Sequence, residues 1–177
     1  MKTLNALAGR LFAFGAGLSM ALVFAIIFVN SLRRYTVGQS VAWGEELPIY
    51  LTIYGVMFGL ALAYLQDRHI RFTILTDFLP EAARDRLFAA VDLVSCITGI
   101  ALAFSGHAFA VRRGHIDASG LKSAGNWLVD TTGIETLIWV SKVGTWQYAI
   151  TIGGVLLAVA AFLKFIERIT SSRAVPA

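Results

Sequence analysis

Four long apolar runs divide this chain, and none carries the polar stripe that a soluble amphipathic helix would show. Leu11 to Leu32 holds no formal charge, and Leu47 to Gln66 shows only Tyr50, Thr52, Tyr54 and Tyr64 among apolar residues before its final glutamine. Leu87 to Val111 is broken only by Asp92 and His107, and Val143 to Leu163 is uncharged again. Each run is close to the ~20 residues a helix needs to cross a bilayer core of about 30 Å. The pattern predicts an all-α integral membrane protein with four transmembrane helices, over about 11–32, 47–66, 87–111 and 143–163, plus short interfacial helices. Residues 1–177 then form a single membrane domain.

Polar clusters mark where the chain turns. Arg33-Arg34-Tyr35 closes the first run, and a short polar turn leads to Trp43-Gly44-Glu45-Glu46-Leu47-Pro48. Glu45 and Glu46 fall in the first turn of helix two, where the helix dipole favours negative charge, and Pro48 is tolerated near a helix start. Gln66-Asp67-Arg68-His69-Ile70-Arg71 follows helix two, and cations there suit both a helix C-terminus and anionic lipid. Phe72, Leu75, Phe78 and Leu79 can share one face of a short interfacial helix before Pro80 opens helix three. Arg112 to Lys142 is expected to be a loop rich in Gly, Ser and Thr, then a short interfacial helix near 133–141. Trp139, Trp146 and Tyr148 cluster at the start of the fourth run, as an aromatic belt would.

Small residues recur at helical spacing in the first two runs. Ala13, Gly17, Ala21 and Ala25 form one stripe, and Gly55, Gly59 and Ala63 form another. Such stripes let helices approach closely, inside the bundle or against a partner.

Composition agrees with a membrane setting. Hydrophobic residues make up 57% of the chain and mean hydropathy is +0.71, while charged residues reach only 15%, against roughly 25% in soluble domains. The net charge of +4 does not point to nucleic acid, because the basic residues are scattered between spans, where lipid headgroups and topology account for them. With both termini on one side, the 15 lysines and arginines divide into nine on that side and six on the other. The excess predicts cytoplasmic termini in a bacterial inner membrane. The single cysteine, Cys96, lies in an apolar run and excludes an internal disulfide.

Little in the sequence points to chemistry. There is no nucleophile elbow, no CxxC and no phosphate loop, so the chain is not expected to be an enzyme. His69 and His115 lie in loops on opposite faces and only His107 is inside a span, so a bis-histidine haem is not supported, nor is a metal site, and no cofactor is expected. Asp92 is the intramembrane polar residue that demands an explanation. A carboxylate there is costly, but it lies near the membrane edge and can pair with an arginine of a neighbouring helix. Arg33, Arg34, Trp43, Glu45 and Glu46 form a collar at one mouth of the bundle, and His69 and Arg71 one at the other. The first collar has a local reading, as dipole partners or an inter-helix ion pair, and a functional one, as a docking surface.

The order Arg33-Arg34-Tyr35, Trp43-x-Glu45-Glu46-Leu47, apolar span, His69-Ile70-Arg71, then Asp77-Phe78-Leu79-Pro80 resembles the small permease subunit, DctQ type, of tripartite ATP-independent periplasmic (TRAP) transporters. The resemblance is specific from about Arg33 to Arg86. It departs at 112–142, where the family has a shorter segment and a proline-marked entry to helix four. It implies a scaffold that anchors a large permease of the DctM type, which imports an organic acid by ion-coupled secondary transport. It also implies a periplasmic substrate-binding protein of the DctP type as the delivery partner, with membrane lipids around the bundle. Two other readings stay open: a four-helix membrane subunit of an electron-transfer complex, and an independent small carrier.

Overall fold

The computed structural model describes residues 2–68 and 78–172. His69, Arg71 and most of the interfacial helix expected around 72–79 lie outside the described residues. Among those described, four helices are long and apolar enough to cross a membrane. They are α1 (Lys2–Val37), α2 (Trp43–Leu65), α3 (Glu81–Arg112) and α5 (Val143–Ser172). The helices overrun the apolar windows that predict them. α1 has 36 residues, about 54 Å at 1.5 Å per residue, so it extends well past a hydrocarbon core.

The ends of these helices follow local chemistry. α1 stops where Gly38 takes φ 75° and its N–H returns to the Arg34 carbonyl. α2 starts at Trp43, which places Pro48 in its second turn instead of its first, at the cost of one backbone donor. α2 ends at Leu65, and two residues on Asp67 is the only non-glycine residue described with positive φ, 56°. Pro80 directly precedes α3, which has no described break before Arg112.

The segment expected as a loop before residue 133 contains a helix, α4 (Lys122–Thr132), followed by a 3-10 turn at Glu135–Ser141. Its Gly, Ser and Thr content misleads because those residues are used inside the helix. Gly125 lies against Ser141, where a Cβ would come within 2.8 Å of the serine side chain. The hydroxyls of Thr131 and Thr132 bond back to the carbonyls of Trp127 and Leu128, and Gly133 ends the helix with φ 68°. The whole connection is closed at its base. Asp117 and Lys142 form an antiparallel bridge, and the backbone N–H of Ala118 donates to Ser141 at 2.7 Å. A helical cap therefore rises from one end of the bundle on a tied neck.

The spans pack in the order α1, α2, α5, α3, with α5 innermost. In its most apolar stretch 39% of residues are buried, against 11% for α1 and α3, which flank the slab. The best-packed core gathers toward the end that carries Asn5 and Arg168. Phe12, Ala61, Tyr64, Leu65, Ala160, Ala161 and Leu163 are buried together there. Toward the capped end Asn30 of α1 packs on Gly44 of α2, and an open cleft lies beside this contact.

Candidate functional site

The closest helix crossing is between α3 and α5. A Cβ on Gly99 would meet the Ala158 nitrogen at 2.6 Å, and one on Gly106 the Thr151 nitrogen at 2.7 Å. Gly154 faces the backbone of Ala103 and Gly99 in the same way, and Gly144 the Ala110 carbonyl. Backbone lies against backbone, which only glycine permits at this separation. The stripe Gly99, Ala103, Gly106, Ala110 recurs in the sequence at 4-3-4 spacing, in addition to the two stripes expected in the first two runs.

The stripes chosen there divide differently. α1 crosses α2 through Gly15, which lies under the Phe58 ring, and through Ser19 beside Gly55. Gly55 is buried beneath Met20. Ala13, Gly17 and Ala21 sit one step further round α1 and are exposed; a Cβ at Gly17 would meet nothing within 4 Å. Gly59 also has open space, and Ala63 is half-buried.

Asp92 is 2% exposed and is held from two helices. Tyr64 of α2 donates its hydroxyl to Oδ1 at 2.8 Å, and Arg168 of α5 donates Nε–H to Oδ2 at 2.6 Å. The Arg168 guanidinium also lies over the Phe88 ring at 5.1 Å and reaches Asp67 at 3.0 Å. Lys164, one turn back on α5, pairs with Asp67 at 2.5 Å and with Glu167 at 3.2 Å. Glu167 in turn accepts from the Asn5 amide of α1 at 3.0 Å. One polar cluster thus ties all four spans at the end bearing the described termini. Asp67 helps explain its own backbone strain, since a left-handed residue persists where its surroundings over-determine it. Its partners lie 97 to 101 positions away in the chain, so local pattern gives no hint of them; the i, i+4 spacing of Lys164 and Arg168 is the one available signal.

The opposite end is organised around Glu46. Its Oε2 accepts the Gly120 N–H at 2.6 Å, and its Oε1 accepts the Tyr50 hydroxyl at 2.8 Å. Tyr50 stacks on Trp146, centroids 5.8 Å apart, and Trp146 donates to the Val140 carbonyl. Gly120 also rests on the Ala42 carbonyl, where a Cβ would come within 2.7 Å. Glu46 therefore clips the cap to the start of α2. Glu45 takes the Ser40 hydroxyl at 2.7 Å. The inter-helix ion pair considered for this collar does not form: among the described residues neither Arg33 nor Arg34 pairs with either glutamate. Arg33, Arg34 and Trp43 are exposed. At the neck, Lys142 donates to Asp117 at 2.6 Å and holds its carboxyl below the ordinary value of 3.8, with Lys122 adding a longer contact of 3.5 Å. His107 sits beside Tyr148 on the outer surface of α3 and α5, with centroids 5.8 Å apart.

The arrangement holds helices in place and exposes apolar faces. A family model for the DctQ component of tripartite ATP-independent periplasmic transporters matches residues 23–171. A sialic acid TRAP transporter small permease protein of Vibrio cholerae is 26% identical over 109 residues, 62% of this chain and 63% of that one. A putative TRAP transporter small permease protein of Haemophilus influenzae is 28% identical over 78 residues, 44% of this chain and 48% of that one. A sialic acid TRAP transporter permease protein of H. influenzae is 31% identical over 62 residues, which are 35% of this chain and 10% of that one. The alignments thus span less than two thirds of each relative's length. Four apolar helices and a match over most of its length identify this multi-pass membrane chain as a member of the DctQ family of TRAP transporter small permease subunits, a transporter component and not an enzyme.

Proposed function

We propose that this chain is the fixed membrane scaffold of a TRAP transporter, anchoring a large permease that imports an organic acid by ion-coupled secondary transport. The observation that carries the reading is the polar cluster of Asn5, Asp67, Asp92, Lys164, Glu167 and Arg168, which locks four helices to one another. With the backbone interlock of α3 and α5, it makes a slab whose four spans are continuous helices among the described residues. A moving transport domain needs such a static neighbour. The 62-residue likeness to a stretch that is 10% of a sialic acid permease supports a small and a large unit working side by side. The exposed stripe Ala13, Gly17, Ala21 is the surface offered to the large permease, since small residues allow close approach in lipid.

The chain sits in the bacterial inner membrane with its termini in the cytoplasm, supported by the nine-to-six division of basic residues. The cap and the exposed Arg33 and Trp43 then face the periplasm, where a soluble binding protein delivers the acid. Such docking acts mainly on encounter rate and weakens with salt. Glu46, clipped to Gly120, belongs to the architecture of that face. The test is uptake in proteoliposomes carrying the complex, against binding-protein concentration. Arg33→Glu should lower uptake most when the binding protein is scarce, with the complex still assembled. Superimposable curves would remove the docking role. A chain that purifies as a stable monomer and transports alone would remove the scaffold reading.

A further inference from the structure

At the capped end α1, the turn and α2 border an open cleft of about 570 Å³, beside the point where Asn30 of α1 packs on Gly44 of α2 and accepts the Val41 N–H at 2.7 Å. The cleft's volume is within the range of roughly 300–1,000 Å³ typical of small-molecule sites. Its lining is graded. Arg34 and Ser31 from α1, Ser40 from the turn and Glu45 from α2 stand at the polar end, and Ile27 and Ile49 lie one to two turns deeper. Among the described residues neither Arg34 nor Glu45 enters an ion pair, so one positive and one negative charge face the same space uncompensated. Glu45 uses one carboxylate oxygen on Ser40, and no described partner occupies the other. The apolar end opens onto a track along the membrane face of the two helices, where Phe24 is 71% exposed, Ile49 61% and Val56 55%.

A ligand that fits carries an anion and a cation in one head and an apolar tail. We propose that this cleft binds a phospholipid with a primary-ammonium head, of the phosphatidylethanolamine class. Its phosphate receives the Arg34 guanidinium and the Ser31 hydroxyl, and its ammonium donates to Glu45. One acyl chain lies on the track past Ile27 and Ile49. A guanidinium matches phosphate oxygens in geometry as well as charge. An anionic lipid would leave Glu45 opposed to a like charge or unpaired, and a trimethylated head has no N–H to give it. The bound lipid covers the open groove beside the contact of Asn30 with Gly44. The site stands apart from the scaffold reading, because it rests on this chain's own lining residues.

The experiment is native mass spectrometry of the complex purified through a tag on this chain. The delipidated sample is titrated with phosphatidylethanolamine, phosphatidylcholine or phosphatidylglycerol. The wild type should hold one phosphatidylethanolamine at least tenfold more tightly than Arg34→Gln or Glu45→Gln does, and should prefer it to the other two lipids. Arg34→Lys should recover part of the loss. Soluble glycerophosphoethanolamine should not displace the lipid at comparable concentration. As a readout independent of the variants, a photoactivatable phosphatidylethanolamine should label peptides spanning 24–34 and 45–56 of the wild type. Equal retention in wild type and variants, no preference among the three lipids, displacement by the soluble head, or labelling confined to other segments would each overturn the proposal.

Discussion

Arg168 serves two carboxylates at once, and they differ in what they can tolerate. Asp67 is partly exposed and shares Lys164, whereas Asp92 is buried and has Tyr64 as its other described donor. Removing one member of a buried pair leaves an uncompensated charge, at about 3–5 kcal/mol. Arg168→Leu should therefore lower the thermal stability of the purified protein far more than Lys122→Leu, whose longer contact with Asp117 is exposed. A differential melting curve in mild detergent gives the answer, and equal shifts would mean that Asp92 is satisfied without the arginine. Asp117 makes a separate residue-scale prediction. Its pKa is lowered in the folded chain by Lys142, so its ionisation favours the closed neck. That contribution is complete above its ordinary value of 3.8 and disappears as pH falls through the lowered one. Protection factors across 118–141, that is, exchange corrected for its intrinsic pH dependence, should fall in the wild type as pH drops through the lowered pKa. Asp117→Asn should show low protection at every pH; wild-type protection that does not change with pH would refute the link.

The elements differ in what a glycine does for them. At Gly99 and Gly106 a larger side chain would strike the backbone of α5, which cannot turn aside, so Gly99→Leu should disrupt the α3–α5 pairing. Gly17 and Gly59 meet nothing within 4 Å, and there leucine should leave the fold intact. Any loss at these two positions should appear in recovery of a larger complex on tagging this chain. Gly55 stands between the two groups, because the atoms beside it are the flexible end of Met20, which can turn aside, and the Ser19 Cβ at 3.3 Å. Leu60→Ala, at an exposed position, should change neither property much. The informative comparison is melting temperature against yield of the complex for this set, and identical ranking in both would contradict the division. The cap is an element of its own. Glu46→Ala leaves the Gly120 N–H without its described acceptor and should destabilise cap docking by about 1–3 kcal/mol. Protease cleavage within 118–141 should report it, with α2 unaffected.

For the molecule as a whole, clamping at both ends is the property on which the proposed scaffold role depends. If the slab does not rearrange during transport, joining Asn5→Cys and Glu167→Cys, whose parent side-chain ends meet at 3.0 Å, with a short reducible thiol cross-linker should leave uptake in proteoliposomes unchanged. Loss of uptake on cross-linking, restored on reduction, would mean that the helices move against each other.

The all-α class and four spans were legible in the chain alone, because uncharged runs of span length have few stable settings outside a bilayer. The family was legible too, in the local motifs from Arg33 to Pro80. Which small residues cross was a different matter. In a chain rich in glycine and alanine several registers satisfy the spacing rule, and the choice between Gly15 and Gly17 fell to large neighbours such as Phe58 and Met20. The helix within the cap was hidden for a related reason, since its Gly, Ser and Thr residues signal a loop until Ser141 is placed against Gly125. Asp92 announced its need for a partner, but only the packing of α3 on α5 selected Arg168, 76 positions away. Hydropathy is a property of each residue and its neighbours along the chain. Pairing is a property of distances in space, and those distances were decided by the tertiary structure.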